Sequence, residues 1–155
     1  MIVPYDTRWP EMFEAQRVRV EDALGPRLVR PVEHMGSTAV PGLPAKSIID
    51  MLAVVTDIDA KPDAVDAMKM RGWVSAPEPG DDAQHRASFC FPSVEHRTHH
   101  LHVVENRFAE WPRWLAFRDY LIDHPEVATS YADLKRQLAD LHGHDPNDRE
   151  AYRQG

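Results

Sequence analysis

The stretch that decides the fold is Glu33-His34-Met35-Gly36-Ser37-Thr38-Ala39-Val40-Pro41-Gly42. A predicted strand ends at Met35 and leads into a loop that begins with Gly36. Glycine lets another group approach the backbone closely. The N–H groups and hydroxyls of Ser37 and Thr38 can then donate to a phosphate. We therefore predict that Gly36, Ser37 and Thr38 bind a ligand, and that Ser37 also belongs to a catalytic site.

A buried strand with one carboxylate follows this loop. Residues 48–55 have the sequence Ile-Ile-Asp-Met-Leu-Ala-Val-Val, which is apolar on both faces and predicts a central strand. Asp50 interrupts it. A buried lone carboxylate costs several kcal/mol unless it is paired or binds a metal. We predict Asp50 as a catalytic and metal-binding residue, although an ion pair with Lys46, an Arg or a His would also compensate its charge.

A cluster of histidines lies on a later predicted strand, Thr98 to Glu105. Alternation along a strand places His100 and His102 on the same face. Two histidines on one face can bind a divalent metal, with Asp50 as a third ligand. The alternative is a pair of hydrogen-bonded histidines with no metal. His99 points the other way and is expected to face solvent.

Lys46, Arg86, Arg97 and Arg118 are the basic residues that could meet an anion. Lys46 is close to Asp50 in sequence, and we predict that Lys46 and Arg86 bind the ligand. Each of them alone is also compatible with a solvated surface charge.

Composition limits the class of protein. The 155 residues suit one domain, residues 1–155, and the formal charge of −7 argues against a nucleic-acid partner. Cys90 is the only cysteine, which excludes an intrachain disulfide and suits a buried thiol in an apolar strand. The N-terminus lacks the features of a signal peptide, and no apolar run is long enough for a membrane span. We expect a cytoplasmic protein with no membrane partner.

Hydrophobic periodicity and breakers predict the order of elements. The predicted helices are a first one from Trp9-Pro10 to Gly25-Pro26, Pro62–Met70, Trp111–Asp123, about Glu126–Leu141, and a short one after Pro146; the predicted strands are Leu28–Met35, Ile48–Val55, Trp73–Ala76, Arg86–Phe91 and Thr98–Glu105. This order favours an α+β fold, a mixed sheet flanked by helices with the C-terminal helices packed beside it. Trp9, Trp111 and Trp114 are expected in the core or at its boundary; a stacking platform for a base is the weaker alternative.

The chain resembles the GrpB family over nearly its whole length. The matching pieces are Val3-Pro4-Tyr5-Asp6, Trp9-Pro10, Glu33–Leu43, Ala45-Lys46, Ile48-Ile49-Asp50, His100-Leu101-His102-Val103, Phe117–Leu121 and His124-Pro125-Glu126. The resemblance implies a nucleotidyltransferase-like fold. It also implies a relation to domains fused to dephospho-coenzyme A kinase in some bacteria.

The resemblance also implies a relation to the nucleotidyltransferase-like superfamily. Its active members combine Gly-Ser with Asp-x-Asp and a third carboxylate on a later strand, and these carboxylates hold two Mg²⁺ ions. This chain has Gly36-Ser37 and Asp50, but Ile48 and Leu52 flank Asp50 at the positions of a second carboxylate. One aspartate with His100 and His102 is a poor two-magnesium site and suits a single Mn²⁺, Zn²⁺ or Ni²⁺ better.

Two functions of different classes follow. The first is a nucleotidyl- or phosphoryl-transferase-like protein with an altered metal site, acting on a nucleotide or another phosphate-bearing small molecule. The second is a non-catalytic module that binds a nucleotide or metabolite, as a partner of a coenzyme A biosynthesis enzyme. A single-metal hydrolase that uses the histidine pair is a third, weaker interpretation.

Overall fold

The structure is a computed structural model and describes residues 1–58 and 61–142. In chain order its elements are β1 (Ile2–Val3), α1 (Trp9–Leu24), a 3₁₀ turn (Gly25–Arg27), β2 (Glu33–Met35), a second 3₁₀ turn (Ser37–Ala39), β3 (Ala45–Lys46), β4 (Ile49–Val55), α2 (Lys61–Lys69), β5 (Val74–Ser75), β6 (Arg86–Pro92), β7 (Arg97–Glu105), α3 (Trp111–Asp123) and α4 (Pro125–His142). The short helix predicted after Pro146 lies outside the described residues. None of the described helices combines the length and the apolar character that a membrane crossing requires.

Five strands form one mixed sheet in the order β2-β4-β7-β6-β5, and β1 pairs with β3 in a separate two-stranded sheet. Strands β4 and β7 are parallel, and the other pairs of the main sheet are antiparallel. The consecutive strands β6 and β7 form an antiparallel hairpin. The apolar strand β4 lies inside the sheet, between β2 and β7, as its sequence predicted.

Each face of the sheet has its own core. On one face, α1 and α2 cover the odd-numbered residues of β4, with Trp9 and Trp73 fully buried among them. On the other face, Leu52 and Val54 pack against Leu115 of α3. Asp50 shares this second face because it alternates with Ile49 and Met51.

The first predicted strand is shorter than expected. Only Glu33–Met35 form β2, while Leu28 makes an isolated bridge to Val55. Pro31 lies between these two segments and has no N–H to donate to a sheet, so regular pairing resumes only after it.

The loop after β2 is held by the C-terminal helices. Val40 and Leu43 of the loop pack with Leu121 of α3 and with Ala128 and Ala132 of α4. The C-terminal helices therefore pack beside the sheet as expected, and they form one wall of a cleft above Asp50.

Candidate functional site

Asp50 and the two histidines are brought together by the parallel pairing of β4 with β7. Asp50 lies opposite His100 and Leu52 lies opposite His102 in the register. Both imidazoles face the same carboxylate oxygen. His100 Nδ1 is 3.7 Å and His102 Nε2 is 3.8 Å from Asp50 Oδ1. The predicted common face of the three residues is therefore present, and both nitrogen–oxygen distances are below 4.0 Å.

Gly36 allows the loop to turn directly beside Asp50. Its φ is +75° and its ψ is −173°, a conformation that is essentially restricted to glycine. A Cβ atom at this position would lie 2.8 Å from Asp50 Oδ2. The register explains this approach, because Met35, the residue before Gly36, pairs with Asp50. The Gly-Ser turn and the carboxylate thus form one structural unit.

The two histidines keep Asp50 ionised. Burial alone would raise its pKa, but the neighbouring imidazoles of His100 and His102 outweigh burial and hold the pKa of Asp50 below its ordinary value. The Asp50 side chain is 35% exposed and opens into the cleft. It therefore presents a negative charge to whatever enters.

Ser37 and Thr38 differ in what they can offer a ligand. Both line the cleft, but the Thr38 side chain is buried and its Oγ1 lies 2.9 Å from His34 Nε2 and 3.4 Å from the Ile48 carbonyl. The hydroxyl of Thr38 is thus engaged within the fold. The 3₁₀ turn is closed by the N–H groups of Ala39 and Val40, which leaves those of Ser37 and Thr38 outside its internal hydrogen bonds.

His34 supports this turn from below. It stacks on Phe13, with ring centroids 4.9 Å apart. Burial has the largest effect and lowers the pKa of His34; Asp50 partly offsets it, and Arg118 and His99 act in the same direction as burial. Together these effects lower the pKa of His34 to about 4. His34 is therefore neutral at pH 7 and can hold the Thr38 hydroxyl without adding charge beneath the site.

A single cleft of about 570 Å³ contains all the predicted site residues. Its lining residues are Met35, Gly36, Ser37, Thr38, Ala45, Lys46, Ile48, Asp50, Glu78, Arg86, Arg97, His100, His102, Arg113, Trp114, Phe117, Arg118, Leu121, Tyr131 and Lys135. Six of these carry a positive charge and two a negative one, although the chain as a whole is acidic. A local basic cleft in an acidic protein favours a small anionic ligand.

The basic side chains of the cleft have different roles. Arg118 is half-buried, and its Nη1 donates to Glu33 Oε2 at 2.9 Å and to the His34 carbonyl at 2.8 Å, so it ties α3 to β2. Arg86 Nη2 lies 3.5 Å from the buried Asp81, and its Nε is buried without a hydrogen-bond partner among the described residues. Lys46 is an exposed residue at the rim.

The prediction for His99 was wrong. Its side chain is buried and its Nε2–H donates to the Met12 carbonyl of α1 at 2.9 Å. Burial lowers the pKa of His99, although the bond to Met12 acts in the opposite direction. Alternation correctly separated His99 from its neighbours, but α1 covers the face that we expected to be open. Cys90 is buried, as predicted.

The donor set around Asp50 suits a single metal ion better than two Mg²⁺ ions. In a tetrahedral zinc site, two ligand atoms lie about 3.3–3.5 Å apart. The N–O distances of 3.7 and 3.8 Å around Asp50 Oδ1 exceed this by a few tenths of an ångström. Within residues 1–58 and 61–142, no group of three or more His, Cys, Asp or Glu side chains is already arranged to hold a metal. Metal binding therefore stays a prediction.

The C-terminal helices contribute a wall of the cleft that the sequence did not predict. Arg113, Trp114 and Phe117 of α3 and Tyr131 and Lys135 of α4 line the cleft. Their spacing places them on one face of each helix. The only available signal was that this face mixes aromatic and basic residues, and such a face is also typical of an ordinary half-buried helix. Trp114, expected at the core boundary, is half-buried and its ring centroid is 6.2 Å from that of His102.

Comparisons with known proteins agree on one family. The sequence profile of the family described as "GrpB protein" matches residues 1–155. The chain is 36% identical over 154 residues to UPF0157 protein YqkA of Bacillus subtilis, covering 99% of this chain and 43% of that protein. It is 38% identical over 145 residues to UPF0157 protein SCO7215 of Streptomyces coelicolor, covering 93% and 73%. The chain thus spans less than half of YqkA.

Solved structures support the same assignment and define the fold. The crystal structure of conserved protein GrpB from Enterococcus faecalis has a TM-score of 0.82 and 31% identity, covering 99% of this chain and 98% of that one. The RNA terminal uridylyl transferase Cid1 has a TM-score of 0.59 at 12% identity, covering 89% of this chain and 43% of that one. This likeness confirms the nucleotidyltransferase-like α+β fold. A dephospho-CoA kinase of Mycolicibacterium paratuberculosis is 30% identical over 159 residues, covering 87% and 38%.

Proposed function

This chain belongs to the GrpB family, and we propose that its cleft binds a nucleotide or another phosphate-bearing small molecule and transfers a nucleotidyl or phosphoryl group. The observation that carries the proposal is the convergence of Gly36-Ser37, Asp50, His100 and His102 on one basic cleft. Phosphoryl and nucleotidyl transfer depend on positioning and on charge stabilisation more than on covalent chemistry by the protein. A cleft that combines the Gly36-Ser37 turn, a carboxylate and several cations can supply both.

The proposed roles follow from position. The N–H group and hydroxyl of Ser37 donate to a phosphate, which Gly36 admits because it has no side chain. Lys46 and Arg86 neutralise the charge of the phosphates, as their place in the cleft lining allows. The N–H of Thr38 contributes to the same turn, while its hydroxyl holds His34.

Asp50, His100 and His102 would hold one divalent ion, with Mn²⁺, Zn²⁺ or Ni²⁺ favoured over Mg²⁺ because two of the three ligands are nitrogens. When bound, such an ion would polarise a phosphoryl oxygen. His102 is the better of the two imidazole ligands. Metal binding through His100 Nδ1 would place the ring proton on Nε2, which is buried without a hydrogen-bond partner in the described structure.

Calorimetric titration tests the proposal. ATP, GTP, CTP and UTP are each added to the protein with Mg²⁺, Mn²⁺ or Zn²⁺. We expect heat of binding for at least one triphosphate, and we expect Asp50→Asn to lose the part of the binding that depends on metal. The matched control is Asp133→Asn, which removes the same charge from an exposed side chain of α4 outside the cleft. If no triphosphate binds with any metal, the proposal fails.

The alternative function is a non-catalytic module that binds a nucleotide or metabolite. It is favoured by the apolar residues Ile48 and Leu52 at the positions of a second carboxylate. The similarity to a protein named dephospho-CoA kinase suggests a partner among enzymes of coenzyme A biosynthesis. This alternative predicts that dephospho-coenzyme A or coenzyme A binds and that Asp50→Asn leaves the affinity nearly unchanged. Loss of both metal and ligand binding in Asp50→Asn would count against it.

The proposed setting is the cytoplasm, since Cys90 is a lone buried thiol and reduced thiols are typical of that compartment. The acidic net charge favours a small ligand over a nucleic acid as the partner.

A further inference from the structure

The outer wall of the cleft carries an exposed aromatic surface that phosphate binding does not explain. Phe117 of α3 lines the cleft and is 48% exposed. Its ring meets that of Tyr131 of α4 in a T-shaped pair, with centroids 5.3 Å apart at 78°. Lys135 lies over the Tyr131 ring at 5.3 Å. These contacts hold Tyr131 from two sides and leave much of the Phe117 ring open to the cleft.

The position of this ring along α3 relates it to the phosphate end of the site. One turn earlier, Trp114 packs edge-on to His102. The next residue along the chain, Arg118, is bonded to Glu33 and to the carbonyl of His34, two residues before Gly36. Phe117 is thus fixed on a helix that is anchored on both sides to the proposed phosphate site. Its ring forms part of the cleft wall.

The size of the cleft also exceeds what a phosphate group needs. Pockets of roughly 300–1,000 Å³ hold ligands of the size of a drug or cofactor, and this cleft measures about 570 Å³. A planar ring against Phe117 and phosphates at Ser37 would occupy the same cleft, because both residues line it. Stacking on an aromatic side chain tolerates any base, because every base has a π face.

We infer that the ligand of this cleft is a nucleotide whose base stacks on Phe117, and not a sugar phosphate or an inorganic phosphate. The inference rests on the proposed function, because it assumes phosphates at the Gly36-Ser37 end. Phe117 acts here as a residue for ligand selection. It has no part in the chemistry at Asp50.

The test compares nucleoside triphosphates with tripolyphosphate, which carries the same kind of charge and no base. We expect Phe117→Leu, which keeps apolar bulk but removes the ring, to weaken nucleoside triphosphate binding by about tenfold or more. Tripolyphosphate binding should not change. Phe117→Tyr should bind like the wild type because it keeps the ring. Tyr120→Leu is the matched control, since Tyr120 is on the same helix, 47% exposed and outside the cleft.

Three outcomes oppose the inference in distinguishable ways. Equal binding of tripolyphosphate and nucleoside triphosphates, with Phe117→Leu unaffected, overturns the stacking role and leaves phosphate binding intact. A loss in Phe117→Leu that is equal for both ligands assigns Phe117 a structural role and also overturns the inference. If neither tripolyphosphate nor any nucleoside triphosphate binds, the proposed function is refuted, and the inference fails with it. Circular dichroism of each variant confirms that it is folded.

Discussion

Replacing Gly36 by alanine should destabilise the protein through two separate effects. The φ of +75° with extended ψ is a conformation that a residue with a side chain adopts at a cost of about 1–3 kcal/mol. The new Cβ would also lie 2.8 Å from Asp50 Oδ2, 3.2 Å from its Cβ and 3.4 Å from its Cγ. Asp50 must then move, and overpacking of this kind costs about 1–3 kcal/mol.

The sum of the two effects is about 2–6 kcal/mol. For a protein of this length, each kcal/mol lowers the Tm by about 2–4 °C, so Gly36→Ala should lower it by about 4–24 °C. Gly42→Ala is the control, since Gly42 has a φ of +80° but no atom within 4 Å of an added Cβ. This control should lose only the backbone contribution, about 1–2 kcal/mol.

Urea unfolding followed by circular dichroism measures both variants under the same conditions. A double variant with Asp50→Ala separates the contact from the backbone cost, because it removes Oδ2 and Cγ. We expect Gly36→Ala to cost less in the Asp50→Ala background than in the wild type. Equal destabilisation by Gly36→Ala and Gly42→Ala, with no coupling to Asp50, would refute the close packing of the turn against the carboxylate.

Three further predictions concern the supports and ligands of the site. The pKa of His34 is lowered to about 4 in the folded protein, so below about pH 6.5 the imidazole becomes protonated in the unfolded chain before it does in the folded one. The free energy of unfolding should therefore drop by up to about 3 kcal/mol between pH 6.5 and pH 4. Urea unfolding of His34→Gln should show a smaller drop over the same pH range. Arg118→Lys should lower the free energy of unfolding by about 1–2 kcal/mol, because one ammonium cannot reproduce the bonds to Glu33 and the His34 carbonyl. Arg113→Lys, at an exposed position, should leave the free energy of unfolding unchanged. Thermal unfolding of both variants measures the difference. His102→Asn should weaken Mn²⁺ or Zn²⁺ binding at least tenfold in calorimetry and His96→Asn should not; equal affinities would remove His102 from the proposed metal site.

Local patterns were sufficient for most of the fold. The apolar run of β4 predicted a central strand because no face of it could meet water. Alternation along β7 placed His100 and His102 on one face, and their pairing with β4 then placed them beside Asp50. These features depend on residues close in sequence or on one regular pairing.

Other features depend on which helix covers which face of the sheet. The alternation of side chains along a strand does not predict this. His99 was assigned to solvent because nothing near it in the sequence predicts the Met12 carbonyl as its partner. Arg118 forms its ion pair with Glu33, which lies 85 positions earlier in the chain. The sequence alone therefore could not predict that Arg118 anchors α3. The aromatic wall at Phe117 arises only when α3 and α4 pack above the sheet.

A crystal structure of the protein with Mn²⁺ and a non-hydrolysable nucleoside triphosphate tests the central claim most directly. We expect an anomalous manganese peak between Asp50 Oδ1 and His102 Nε2, with the phosphates at the Ser37 turn. Triphosphate bound elsewhere, with the cleft at Asp50 empty of both metal and phosphate, would contradict it.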